Sequence, residues 1–259
     1  MPVHLASEFY GVNDFIKGKT SLNDIELNLL GNIEGKSLLH LQCHFGMDSI
    51  SLARLGAKVT GVDFSEPAIE AAQNLSEKAG TKTEFICSDI YSLPEHLDNK
   101  FDIVFTSYGT IGWLPDIEKW AYIVSKYLNP GGCFVMVEFH PVVWMFDNDF
   151  KEVAYRYFLE EAIVEETEGT YANPDAAINK KTFSWNHSLG EVINNLINAG
   201  LEIESFEEYD YSPYNCFRHS KEVAPARFQI EKFGNKIPML YSIKARKKSY
   251  RKKSSTRGV

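Results

Sequence analysis

The sequence has no uninterrupted apolar run approaching the ~18 residues of a membrane-spanning helix. Its opening residues, MPVHLASEFYGVNDF, lack both a basic start and an apolar core, so no signal peptide is expected. Cysteine is scarce. Cys43, Cys87, Cys133 and Cys216 are scattered rather than spaced as a framework. That fits reduced thiols and a cytoplasmic location better than disulfides. Glycine is missing where a nucleotide-binding fold usually concentrates it. The stretch HLQCHFG, residues 40–46, follows the first apolar run and contains only Gly46. Neither G-x-G-x-x-G nor G-x-x-x-x-G-K-[ST] is present, so a pyrophosphate or triphosphate has no backbone nest there.

What is present suits one α/β domain of 259 residues, with 44% hydrophobic and 24% charged residues. The net charge of −8 is uneven. Residues 244–259 hold eight Lys or Arg and no acid, leaving −16 on the rest. Such a tail reads as a solvated, disordered terminus. A basic tail can also touch nucleic acid, although an acidic body repels a phosphate backbone.

Apolar strands alternate with amphipathic helices. KSLLHL (36–41), AKVTGVDFS, KTEFICSD, FDIVFTSY and CFVMVEFH read as five strands. The helices between them are MDSISLARLG, SEPAIEAAQNLSEKAG and DIEKWAYIVSKYL. Gly56 and Gly80 stop the first two, Ser65 caps the second with Pro67 in its first turn, and the turn NPGG (129–132) closes the third. This rhythm predicts a doubly wound, mostly parallel sheet. An N-terminal helical segment (1–35) precedes it. Residues 141–184 break the rhythm as an aromatic, charged insertion or cap, in which EVAYRYF could form short strands. A helix follows at SLGEVINNLINAG, with Ser188 and Glu191 at capping-box spacing. LEIESFEEYDY and IPMLYSIKA then read as an antiparallel pair joined through 212–237. One domain over 1–243 and a tail over 244–259 are expected.

In such a sheet, ligands sit beyond the carboxyl ends of the strands. Asp63 ends the second strand and can accept both hydroxyls of a ribose. Asp89, in CSDI, can accept from an adenine amino group, with Ile90 flanking the ring. A ribose site and an adenine site without a phosphate nest suggest S-adenosylmethionine (SAM). A metal held by His40, Cys43 and His44 is a competing reading of the loop.

These segments together resemble the class I SAM-dependent methyltransferases. HLQCHFG aligns with that family's D/E-x-G-x-G-x-G at His40, Gln42, His44 and Gly46. VDFS resembles the acidic second motif, CSDI the adenine motif, FDIVFTSYGTIGW the fourth-strand motif, and LNPGGCFVMVEF the turn and strand after it. EFHPVVWMF and SWNHSLGEV are similar to an uncharacterised bacterial small-molecule subgroup. The resemblance covers about residues 36–140 and 185–245. It implies a seven-stranded Rossmann-like sheet with an antiparallel C-terminal hairpin. It also implies a cofactor site formed by Leu41, Gln42, Cys43, His44, Gly46, Asp63, Phe64, Ser65, Ser88, Asp89, Ile90, Ser107 and Tyr108.

Methyl transfer depends on alignment and exclusion of water, and a hydroxyl or ammonium acceptor also needs a base. Four candidates for that chemistry stand near strand ends: His140, His187, Tyr108 and Glu138, with Asn186 beside His187. His140 is favoured slightly over His187. The aromatics Trp144, Phe146, Tyr155, Tyr157, Phe158, Trp185, Tyr209, Tyr211, Tyr214 and Phe217 suit a lid over a flat or apolar acceptor. Two other functions stay open: an RNA methyltransferase that uses the basic tail, and a SAM-binding protein without transferase activity. TSYG is not the N/D-P-P-Y/F of amino-group base methylation, and no Pro-Cys pair supplies a C5 nucleophile.

Overall fold

Successive residues of a strand face opposite sides of its sheet, and two apolar layers follow from that. Leu39, Leu41, Val104, Phe134 and Met136 point to one face, where Trp120, Val192 and Leu196 cover them. Leu38, Ile103, Phe105 and Val135 point to the other, under Leu22 and Ile33. Each large side chain fully buried this way contributes roughly 1.5–3 kcal/mol.

The computed structural model describes residues 10–158, 161–168 and 179–249. Two short helices, α1 (Val12–Ile16) and α2 (Asp24–Leu30), come first. The wound region comprises β1 (Ser37–Leu41), α3 (Met47–Arg54), β2 (Lys58–Asp63), α4 (Glu66–Lys78), β3 (Glu84–Cys87), β4 (Phe101–Ser107), α5 (Ile117–Tyr127) and β5 (Leu128–Phe139). After it come the hairpin β6 (Ile163–Glu168) and β7 (Asn179–Ser184), then α6 (Leu189–Asn198) and β8 (Leu201–Tyr209). A second hairpin, β9 (Ser220–Ala224) and β10 (Arg227–Ile230), precedes the last strand, β11 (Leu240–Lys247).

The main sheet has seven strands in the order β3-β2-β1-β4-β5-β11-β8. β1 to β5 are parallel, and β11 runs antiparallel to both β5 and β8. The expected Rossmann-like sheet and its antiparallel pair are therefore present. β1 pairs with both β2 and β4, so the winding reverses on its two sides and leaves a crevice at the carboxyl ends.

Local signals explain several element ends. Asp116 caps α5 by accepting from the Lys119 amide at 2.8 Å. The Ser188 hydroxyl does the same for Glu191 at the start of α6, while the Glu191 carboxylate turns to His187 instead of closing the box. Gly56 ends the turn after α3 at φ 90°.

Three expectations need correction. The NPGG segment is part of β5, absorbed as an irregularity where Phe101 pairs with Leu128 and Ile103 with Cys133. A Cβ on Gly132 would meet the Asn129 carbonyl at 2.9 Å, so glycine is required there. EVAYRYF forms no strand. Val153 makes one isolated bridge to Phe146, and the paired strands of the insertion are β6 and β7. The basic tail does not begin at residue 244, because β11 continues to Lys247. Lys244 donates to the Leu29 carbonyl, Arg246 pairs with Glu204, and Lys247 donates to the Ser125 and Leu128 carbonyls. The expectation of disorder over 250–259, and the first nine residues of the N-terminal segment, lie outside the described residues.

Candidate functional site at the carboxyl ends of the strands

The loop after β1 keeps a glycine backbone without the glycines. Gln42, His44 and Gly46 have φ of 55°, 52° and 80°. For the two non-glycine residues this left-handed geometry costs roughly 1–2 kcal/mol each. Four bonds offset it. The Cys43 amide donates to the Val62 carbonyl at 2.9 Å, and the Gly46 amide to the Cys43 carbonyl at 2.9 Å. Gln42 Nε2 donates to the Thr110 carbonyl at 2.7 Å, and the His44 amide to Asp63 Oδ2 at 2.9 Å. Gly46 has a packing reason as well, since a Cβ there would stand 2.7 Å from the Phe85 ring and 2.9 Å from Ala72.

His40 takes the place of an acid. Its ring is buried, with Nδ1 2.8 Å from the Ser49 hydroxyl, and burial pushes its pKa down to about 3. It is therefore a neutral link between β1 and α3. Burial also raises the Cys43 thiol well above its usual range. Among the described residues no group of three His, Cys, Asp or Glu side chains is arranged to hold a metal ion.

At the end of β2, Asp63 accepts from the His44 amide through Oδ2 and from the Ser65 amide through Oδ1 at 3.0 Å. Burial raises its carboxyl pKa, and these amides pull the other way. Phe64, next to it, is 76% exposed, a bare aromatic face beside a fixed carboxylate. At the end of β3, Ile90 is buried and Asp89 exposed. Asp89 Oδ1 accepts from the Tyr91 amide at 2.5 Å, and the buried Ser88 hydroxyl donates to the Asp89 carbonyl at 2.8 Å. An acceptor pair, an apolar face and a second carboxylate thus stand side by side at the carboxyl ends of β2 and β3, where the Ser88 amide donates to the Asp63 carbonyl at 2.9 Å. Gln42 Oε1 is buried without a hydrogen-bond partner. This set suits an adenosine bearing a cationic tail, and SAM fits it.

The loop after β4 is the tightest part of the site. Tyr108 has φ of 49° and Gly109 of 78°. Glu138, buried on β5, holds this loop. Its carboxylate accepts from the amides of Gly109, Thr110, Ile111 and Phe139 and from the Thr110 hydroxyl. Burial raises its pKa against these donors. With both oxygens so engaged, Glu138 positions Tyr108 rather than meeting a substrate.

Tyr108 in turn meets residues that sequence reasoning missed. Its hydroxyl donates to Glu26 Oε2 at 2.7 Å. Glu26 Oε1 accepts from the Asn23 amide at 2.7 Å and from Asn23 Nδ2 at 3.1 Å, which closes the capping box of α2. Asn23 Nδ2 also reaches the Tyr214 hydroxyl at 2.8 Å. Asp48, in the first turn of α3, accepts from the hydroxyls of Ser21 at 2.6 Å and Ser107 at 3.0 Å. The only sequence signal was N-x-x-E at 23–26, which marks a helix start and nothing more.

The histidines are differently engaged. His140 Nδ1 accepts from the Val142 amide at 3.1 Å, which leaves Nε2–H to donate to Glu208 at 2.8 Å. His187 Nε2 lies 2.7 Å from the Leu114 carbonyl and Nδ1 3.1 Å from Glu191. Both rings are buried. Both nitrogens of each ring face a partner within the fold, so each histidine stands as a brace between elements. Asn186 similarly ties the carbonyls of Pro141 and Arg156.

Of the expected aromatics, one group continues from Tyr108. Tyr214 stands edge-on at 5.0 Å and Phe139 at 6.1 Å, with Phe217 and Trp144 beyond Phe139 at 5.1 and 5.7 Å. Others serve the scaffold. The Tyr157 hydroxyl accepts from the Leu189 amide at the start of α6, and Tyr155 bonds Glu165 within the insertion.

Comparison with known proteins agrees with this geometry. Residues 38–132 match the methyltransferase domain family. A Haemophilus influenzae protein of unknown role is 28% identical over 207 residues, covering 73% of this chain and 78% of that one. A ubiquinone biosynthesis O-methyltransferase of Idiomarina loihiensis is 29% identical over 132 residues, 49% of this chain and 54% of the enzyme. The chain thus spans about half the length of that relative. In fold it is similar to a SAM-dependent methyltransferase of Listeria monocytogenes, with a TM-score of 0.63, 21% identity, and 87% and 96% of the two chains covered. One from Mesorhizobium loti gives 0.59 and 19%, covering 90% and 100%. The chain thus carries a segment that matches the methyltransferase domain family, and it shares the fold of SAM-dependent methyltransferases.

Proposed function

We propose that this protein transfers the methyl group of SAM to a small-molecule acceptor with an apolar or flat body, and that it works in the cytoplasm. The observation that carries the reading is the pairing of Asp63 with the exposed Phe64 at the end of β2, inside the segment that matches a methyltransferase domain. SAM supplies an electrophilic methyl group. The chain's own residues bind, align and exclude water.

Asp63 takes the ribose hydroxyls with the lone pairs its two amide partners leave. Phe64 and Ile90 flank the adenine, with Ser88 and Asp89 at its edge. The backbone of Leu41, Gln42, Cys43 and His44, ending at Gly46, lies along the methionine part, and Gln42 Oε1 suits its ammonium. Ser65 fixes Asp63, and Ser107 and Tyr108 border the point of transfer. The aromatic row Tyr214, Phe139, Phe217 and Trp144 favours an apolar acceptor. A relative described as a ubiquinone biosynthesis O-methyltransferase supports a small molecule over a nucleic acid. The described part of the basic tail adds no nucleic-acid surface, since Lys244, Arg246 and Lys247 are engaged within the fold. Among the described residues no helix is long and apolar enough to cross a membrane.

The test is to incubate the purified protein with methyl-labelled SAM and a small-molecule extract. Label should appear in a low-molecular-weight product. Binding of NAD in place of SAM, or label recovered only in RNA, would refute the proposal.

A further inference from the structure

Glu26 is a buried carboxyl group with no cation against it among the described residues, and the functions assigned so far do not use it. Tyr108 joins it to the carboxyl end of β4. Tyr108 is half-buried, at the end of β4, and donates to Glu26 Oε2 at 2.7 Å. Asn23 Nδ2 approaches the Tyr108 oxygen only at 3.4 Å, while it meets Tyr214 at 2.8 Å and Glu26 at 3.1 Å. A phenol oxygen can accept twice, so beside the long Asn23 contact it has room for a second, stronger donor. Glu138 fixes the loop that carries Tyr108, so the hydroxyl is held in place.

We propose that Tyr108 and Glu26 form a proton relay for a hydroxyl-bearing acceptor, with Tyr108 touching the acceptor and Glu26 taking the proton behind it. This rests on the function proposed above and names its substrate class. A neutral amine can attack before it loses a proton. A hydroxyl is a poor nucleophile until its proton departs, so a built relay ending in a carboxylate points to oxygen. The aromatic row beyond Tyr108 gives that hydroxyl a ring to sit on.

The step balances as follows. The acceptor oxygen forms its bond to the methyl carbon as the sulfur–methyl bond breaks, and that electron pair stays on sulfur. The acceptor's proton passes to the Tyr108 oxygen, and the Tyr108 proton passes to Glu26 Oε2. Glu26 ends as a neutral acid and returns the proton to solvent on product release. No other reactant is needed.

The charge environment suits this. Burial first, and then the facing carboxylate of Asp48, push the Glu26 pKa up to about 7, where a base works near neutral pH. The groups around it are Asp48 from α3, Tyr108 from the β4 loop, Tyr211 and Tyr214 from the segment after β8, and Asp24 on its own helix. Lys244 of β11 meets that helix at its other end, donating to the Leu29 carbonyl at 2.6 Å.

The experiment uses the full chain with SAM and a dihydroxybenzene as probe acceptor. Infrared titration should show a protonated carboxyl band that disappears near pH 7 in the native protein and is missing from Glu26→Gln. In turnover, Glu26→Gln should lower kcat by about 10–100-fold, leave KM within a few-fold, and remove the rise of rate through pH 7. SAM affinity, read by calorimetry, should stay within a few-fold. Tyr108→Phe should lower kcat similarly, and the double variant should fall little further, because both substitutions break one relay. Unchanged kcat and pH profile in Glu26→Gln would overturn the relay, as would losses that multiply in the double variant. A native protein that binds SAM but methylates only amines would overturn the hydroxyl assignment. Failure of the native protein to bind SAM at all would instead defeat the function on which the relay rests.

Discussion

The Asp63 carboxylate holds the His44 amide at 2.9 Å, so one bond joins the end of β2 to the loop after β1. The two places where sequence reasoning put the cofactor are therefore one mechanical unit. A residue that would bind the ribose also fixes the backbone that would carry the methionine part.

That link shapes the first expectation. Asp63→Asn keeps an oxygen for one amide but loses the charge and one acceptor. SAM affinity should fall by about 1.5–3 kcal/mol, the range for hydrogen bonds to a charged group. Calorimetry against SAM measures it, with thermal unfolding as a control for the loop. Unchanged affinity in a variant that melts normally would remove Asp63 from the ribose.

A second expectation concerns the left-handed residues. His44→Gly and His44→Ala both delete the ring and its contacts with Tyr10 and Phe45. They differ mainly in the cost of a Cβ at φ 52°. The glycine variant should be the more stable by about 1 kcal/mol, the reverse of the usual order. Urea midpoints compare them directly. Alanine equal to or above glycine would mean the loop does not hold this conformation in solution.

The alternation of strand and helix was legible because each element carries its own period, and Asp63 was legible because it ends a strand beside the switch point. What depends on distant partners was not. Glu26 reads as a helix-capping residue until Tyr108, 82 residues later, meets it. His140 and His187 stand at promising strand and helix ends. Their partners Glu208 and Leu114, 68 and 73 residues away, decide that they brace the fold. NPGG has the composition of a turn, yet its neighbours pair across the sheet and absorb it. The cations of residues 244–247 look like a solvated run. Tyr241, Ile243 and Ala245 bury the alternate face, and backbone carbonyls satisfy the ammonium groups of Lys244 and Lys247.

The last expectation follows from Glu26 in the folded state. Its pKa rises from 4.5 to about 7 on folding, so the folded protein holds a proton that the unfolded chain gives up. Below pH 4.5 both states are protonated and the residue costs nothing. Between 4.5 and about 7 the unfolded state gains by ionising while the folded state does not. Stability is therefore lost across that window and is constant above it. The shift corresponds to about 3 kcal/mol. Glu26→Gln cannot ionise, and glutamine still serves at the third position of a capping box. Asp48, Asp63 and Glu138 titrate in both proteins and largely cancel in the comparison. The difference in unfolding free energy, native minus variant, should fall by about 3 kcal/mol from pH 4.5 to 7 and then level off. Urea titrations at half-unit pH steps measure it. Parallel curves for the two proteins would mean that Glu26 ionises in the fold as it does in water, and that Asp48 and burial do not hold its proton.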